Sequence, residues 1–191
     1  MKKIAVFASG SGSNMQKIAE YFRDHPEREL CIATVITDCA DAYVQTRAKA
    51  FGIPAHHLTK AQLSDPAYLL PLLAGYEVDA VILAGYLRLI PDFLLQAYPD
   101  RIVNIHPALL PKYGGKGMHG MHVHEAVKAA GESVSGITIH IIDGEYDKGT
   151  TLFQAETELL PVDTPQEIQQ KVQVLEHRYF APVIADWLER L

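Results

Sequence analysis

At 191 residues, with 48% hydrophobic and 21% charged residues, the chain has the composition of an ordinary globular protein able to bury a core without disulfides or structural metals. Its net charge of −6 argues against a surface that tracks a nucleic-acid backbone, but leaves room for a small anionic ligand in a local pocket. No apolar run approaches the length of a membrane span, the N-terminus reads as neither signal peptide nor anchor, and Cys31 and Cys39 make no Cys-x-x-Cys site or disulfide framework, so a reducing cytoplasm is expected.

Lys2 to Ala8 is a β-leaning apolar run that breaks into Ser9-Gly10-Ser11-Gly12-Ser13-Asn14 and resumes with helical spacing at Met15, Ile18, Ala19 and Phe22. Cys31 to Thr37 repeats the pattern, followed by Asp38 and a predicted helix through Val44, Ala48 and Phe51. After a polar connection, Leu63 to Leu73 reads as one helix, with Asp65-Pro66 near its start and Pro71 bearing on its end. Val78 to Ala84 gives a third strand, Pro91 to Leu95 starts a short helix, and 101–105 is a fourth strand. Strands alternating with helices predict a parallel sheet with right-handed crossovers.

The texture changes at Lys112 to His122, a stretch rich in glycine and histidine that reads as a functional loop before a helix around His124 to Ala130. Ser135 to Ile142 and Thr151 to Leu159 read as strands, and the short segment between them favours antiparallel pairing. Thr164-Pro165-Gln166-Glu167 has the spacing of a capped helix start, with apolar residues recurring from Ile168 to Trp187 and Pro182 expected to kink or interrupt the helix. No repeat, low-complexity tract or linker appears, so a single domain over 1–191 is expected.

Several stretches carry polar groups that chemistry could use. In Asn104-Ile105-His106-Pro107 an amide and an imidazole sit two residues apart at a strand end, so both face the same side. Pro107 takes the chain out of the strand there. On these four residues alone the plainer reading is a strand-end turn with a hydrogen-bonded histidine. The loop Ser9 to Asn14 offers unencumbered backbone amides at a helix start, a site for an anion such as phosphate. It lacks the third glycine of a dinucleotide fingerprint and the lysine of a P-loop, and a plain helix-capping turn would use the same residues.

Asp143 to Gly149 is an acidic turn just downstream of His140; it reads as a solvated hairpin loop, or as a carboxylate source beside an imidazole. The spacing of His119, His122 and His124 fits no zinc motif, so these are expected to be loop and helix-surface histidines rather than metal ligands. Arg88 is a lone cation in an apolar neighbourhood, there to cover apolar surface or to frame a flat ligand. Gln173 and Glu176 share a face of the last helix, where exposed polarity is the ordinary default.

Taken together, the motifs Ser9 to Asn14, Asn104 to Pro111, and His140-Ile141-Ile142-Asp143 leading to Asp147-x-Gly149 resemble the folate-dependent formyltransferases, above all those of purine synthesis that act on glycinamide ribonucleotide. The resemblance covers nearly the whole chain. It implies a Rossmann-like α/β fold: an open twisted sheet, mostly parallel, with an antiparallel C-terminal strand pair and helices on both faces. It places nucleotide and phosphate binding in about 1–100, and folate binding and catalysis in about 101–191. It implies formyl transfer from 10-formyltetrahydrofolate without a metal, by Asn104, His106 and Asp147. Gly12, Ser13, Asn14, Gln173 and Glu176 would hold the ribonucleotide, and Arg88, Leu89, Ile90, His140 and Asp143, the last two through backbone of the 140–147 segment, the folate.

The implied partners are small molecules, with no nucleic acid or membrane, for a cytoplasmic monomer or homodimer. Relatives acting on methionyl-tRNA carry an added C-terminal domain that does not appear in this sequence, and a non-catalytic folate or nucleotide sensor is the other reading. Two stretches depart from the commoner family pattern: Gly114 to His122 is longer and richer in glycine, and Thr150-Thr151 stands where many relatives have Gly-Pro.

Overall fold

The computed structural model describes residues 1–143 and 149–191. Its strands, in chain order, are β1 (Lys2–Phe7), β2 (Leu30–Thr37), β3 (Ala55–His57), β4 (Ala80–Leu83), β5 (Ile102–His106), β6 (Val134–Ile141) and β7 (Thr151–Glu158). The helices are α1 (Ser13–Asp24), α2 (Val44–Ala50), α3 (Lys60–Leu63), α4 (Pro66–Gly75), α5 (Asp92–Ala97), α6 (Met121–Ala129) and α7 (Pro165–Leu188). All seven strands join one sheet in the order β3-β2-β1-β4-β5-β6-β7. Pairing is parallel from β3 to β5 and antiparallel from β5 through β6 to β7, the mixed α/β sheet that the alternation of elements predicts.

The strands of the parallel part are apolar on both faces because helices cover both. In β1, Ile4 and Val6 join a cluster with Met15, Ile18 and Phe22 of α1 and with Val172, Phe180 and Ile184 of α7. Ala5 and Phe7 point the other way, into a cluster with Leu69 and Leu73 of α4 and Leu94 of α5. Each fully buried side chain of this size contributes roughly 1.5–3 kcal/mol over its exposed state. The same alternation sets β5. Val103 and Ile105 face the α1 and α7 side, and Ile102 faces the α4 side. With period two, Asn104 and His106 share the face of Ile102.

The helices and the sheet edge differ from the sequence reading at several points. The predicted helix from Leu63 to Leu73 is two helices, because Pro66 lacks an N–H and holds Asp65 extended (φ −103°, ψ 109°); the Asp65 carboxylate then caps α4 by accepting from the Ala67 amide at 2.9 Å. Pro71 does not end α4, which continues to Gly75. α7 likewise runs unbroken through Pro182, whose neighbours Phe180, Ala181, Ile184 and Ala185 are buried, so packing holds the turn that a missing hydrogen bond weakens. The polar connection before Leu63 contains β3, an edge strand of 3 residues, too short to show a period. The start of α7 forms as its sequence predicts: Thr164 Oγ1 accepts from the Glu167 amide at 3.2 Å while Glu167 accepts from the Thr164 amide at 2.7 Å.

Candidate active site

β1 and β4 are neighbours whose chain connections leave in opposite directions along the sheet, so their C-terminal ends part and open a crevice there. A cavity of about 600 Å³ fills it. Its walls come from the loop after β1 (Gly10 to Asn14), the loop after β4 (Ala84 to Ile90), the end of β5, residues 115–120, and the face of α7 bearing Gln169, Gln173 and Glu176.

The first loop is held rigidly. Gly12 is the N-cap of α1 with φ +73°, in the left-handed region, and a Cβ there would lie 2.4 Å from Val44 Cγ2. The Gly10 carbonyl accepts from the Val44 amide at 3.2 Å and the Ser11 carbonyl from Arg47 Nε at 2.8 Å, so α2 braces the turn. Among the described residues no side chain caps α1, so its first amides, at the positive end of the helix dipole, are not taken up by a cap, and Gly12, Ser13 and Asn14 line the cavity. Ser13 Oγ lies 3.1 Å from His177 Nε2, and Asn14 Nδ2 donates to Glu176 at 2.9 Å. Burial raises the proton affinity of Glu176, an effect that the Asn14 bond partly offsets.

Arg88 is not a lone cation. Its Nε donates to Asp38 Oδ2 at 2.7 Å, and the Asp38 side chain is almost wholly buried. Burial raises the Asp38 carboxyl, yet hydrogen bonds from Ser9 and Arg88 outweigh it and hold the group below its ordinary value. Arg88 and Leu89 therefore reach the cavity from a loop tied to β2, while Ile90 is buried beneath them. Sequence reasoning missed this partner because nothing in the spacing of Asp38 and Arg88 says that β2 and β4 flank the same strand.

At the end of β5, Asn104 and His106 both line the cavity, on one side as their spacing predicts. Asn104 Nδ2 lies 3.1 Å from His140 Nε2, so in this orientation the amide donates to a neutral ring and keeps a second N–H for another acceptor. His106 is buried at 3% exposure, and its Nε2 is 2.7 Å from the Tyr113 carbonyl. His140 and Asp143 are not among the cavity-lining residues: His140 backs Asn104 from β6, Asp143 is exposed, and Ile142 is the residue of that segment that reaches the cavity. Asp147, expected in the catalytic group, lies outside the described residues.

The histidines of the glycine-rich stretch separate. His119 lines the cavity, His122 is exposed beside Glu125, and His124 is buried on α6, lining the cavity instead of lying on the helix surface as expected. Its burial follows from the helix: Val123 and Val127 are buried, and His124 shares their inward side. Burial, and then the nearby His106, push its pKa down to about 4, so the ring is neutral at physiological pH. Among the described residues no group of three or more His, Cys, Asp or Glu side chains is placed to hold a metal.

The α1 start, the loop after β4 and the Asn104–His106 end of β5 thus meet in one cleft at the switch point of the sheet. The chain belongs to the formyl transferase family, whose pattern matches residues 2–184. Within that family it is 38% identical over 192 residues to phosphoribosylglycinamide formyltransferase of Bacillus subtilis, covering 98% of this chain and 95% of that one. It is 43% identical to the chloroplastic phosphoribosylglycinamide formyltransferase of Arabidopsis thaliana, over 96% of this chain and 64% of the relative, so it spans somewhat less than two thirds of that plant protein. The crystal structure of glycinamide ribonucleotide transformylase 1 from Symbiobacterium toebii superposes with a TM-score of 0.89 at 35% identity, covering 99% of this chain and 88% of that one.

Proposed function

We propose that this protein transfers the formyl group of 10-formyltetrahydrofolate to the amine of glycinamide ribonucleotide, giving formylglycinamide ribonucleotide and tetrahydrofolate in purine synthesis. The observation that carries this reading is one cavity lined both by the Gly12-Ser13-Asn14 helix start and by Asn104 and His106. In this reading the ribonucleotide phosphate takes the α1 amides, and its glycinamide end meets Gln173 and Glu176. The folate lies along Arg88, Leu89 and Ile90, with the segment around Ile142 opposite.

The amine lone pair attacks the formyl carbon on N10, the carbonyl oxygen becomes an oxyanion, and the tetrahedral intermediate collapses with cleavage of the carbon–N10 bond. One proton leaves the amine and one reaches N10. Asn104 and protonated His106 donate to the oxyanion, and loss of one such donor typically costs about 10²–10³ in rate. Asp147 is assigned, from the sequence resemblance, to holding His106 in its charged form and moving the proton through water. No step calls for a metal.

Among the described residues no helix is long and apolar enough to cross a membrane. The free thiols Cys31 and Cys39 support the reading of a cytoplasmic enzyme. The acidic chain accords with small-molecule substrates rather than nucleic acid, and a monomer or homodimer would suffice for this site. The purified protein is expected to convert 10-formyltetrahydrofolate to tetrahydrofolate only when glycinamide ribonucleotide is present. Failure to consume the folate in that mixture overturns the reading.

A further inference from the structure

The segment that leaves β5 returns on itself, and Tyr113 ends the return with φ +55°. An aromatic residue in the left-handed region is uncommon and unfavourable, so the surrounding contacts must hold it there. They do so from three directions. Before it, the Leu110 amide donates to Thr138 Oγ1 at 3.0 Å, Thr138 Oγ1 donates to the Ala108 carbonyl at 2.7 Å, and Gln154 Nε2 donates to the Leu110 carbonyl at 3.0 Å, which fastens the strand exit onto β6 and β7. At Tyr113 itself the phenol donates to Glu132 Oε1 at 2.8 Å. Beside it, Lys112 Nζ donates to the same oxygen at 2.9 Å. The result is a main-chain carbonyl directed at Nε2 of His106.

A carbonyl oxygen only accepts, so the nitrogen facing it must carry the hydrogen whether the ring is neutral or charged. We infer that Tyr113 is a positioning residue: anchored through Glu132, its carbonyl keeps the Nε2 proton of His106 in place, so that the proton His106 gains and loses during turnover is the one on Nδ1. This rests on the proposed role of His106 in formyl transfer, but the location of the ring proton is a property of the protein alone. The carbonyl acts as the orienting partner of a catalytic imidazole, fixing both ring rotation and tautomer. Tyr113 and Glu132 touch neither substrate in the proposed arrangement; they act through His106.

The test has a spectroscopic arm and a kinetic arm. In ¹⁵N NMR of the full-length protein, the imidazole signals lost in His106→Asn are expected to report the Nε2–H tautomer when the ring is neutral. Tyr113→Phe, which removes the anchor but keeps the carbonyl, is expected to mix the tautomers and lower kcat by about tenfold to hundredfold, with KM within about twofold. Glu132→Ala is expected to reproduce the effect, and Glu132→Gln, which still accepts from the phenol, to restore most of it. An Nδ1–H tautomer in the unaltered protein overturns the inference. So does Tyr113→Phe that leaves both the ¹⁵N signals and kcat unchanged, or Glu132→Gln that is as impaired as Glu132→Ala. If the tautomer behaves as expected but no formyl transfer occurs with glycinamide ribonucleotide, the proposed function fails and the positioning role stands.

Discussion

Asn104 and His140 sit directly opposite each other on antiparallel β5 and β6, and their side chains meet with Asn104 Nδ2 3.1 Å from His140 Nε2. The buried ring thereby fixes the rotation of the amide that faces the cavity. His140→Ala is expected to lower kcat by about tenfold to hundredfold while KM changes little, because misplacing a donor by a fraction of an ångström weakens its hold on developing charge. Asn104→Ala is expected to cost about 10²–10³, and the double variant no more than Asn104→Ala alone. Steady-state kinetics of the three variants check this.

Gly12→Ala joins two penalties, a left-handed backbone and a Cβ pressed against Val44, whose Cα would lie 2.8 Å away. Stability is expected to fall by about 1–3 kcal/mol, and KM for the ribonucleotide to rise more than kcat falls, since the α1 amides shift with the turn. Urea denaturation and substrate saturation curves measure the two separately.

Much of this was legible in the sequence because it depends on neighbours along the chain. The alternation of strands and helices, the capped start at Thr164, and the common face of Asn104 and His106 all follow from local period and local hydrogen bonding. What was not legible depends on contacts across the sheet. Asp38 meets Arg88 only because β2 and β4 flank β1, and His124 is buried only because α6 packs its valine face inward. His140 carries the same lesson: its contact with Asn104 follows from the antiparallel register of β5 and β6, which nothing in its local spacing announces.

His124 makes a prediction about acid stability. Its folded pKa of about 4 lies below the ordinary value of 6.5, so the unfolded chain binds the proton more tightly. The contribution of the neutral, buried ring is therefore complete above pH 6.5 and is lost as pH falls from there towards 4, by roughly 3 kcal/mol in all. Among the described residues Nδ1 of this ring has no hydrogen-bond partner, so no bond holds it against protonation. His124→Gln is expected to flatten the decline, as read from urea midpoints between pH 4 and 7.5.

Asp147→Asn is expected to lower kcat far more than it weakens ribonucleotide or folate binding, because its proposed work is done during proton transfer. Equal losses in kcat and in affinity, measured by equilibrium binding beside turnover, would assign the carboxylate to substrate holding.

The reversal of strand direction at β5 has a consequence for how this scaffold can change. Asn104 is paired to Leu83 on one side and to His140 on the other, so the residue that presents the amide cannot move without disturbing three strands. The walls around it come in part from connecting segments after β1, β4 and β5, which tolerate insertion and exchange, and in part from the face of α7 that bears Gln169, Gln173 and Glu176. In the proposed reaction the central donor and the loops beside it are thus separable parts of the chain: substitutions in the loops are expected to change which substrates fit while the Asn104 amide stays where it is.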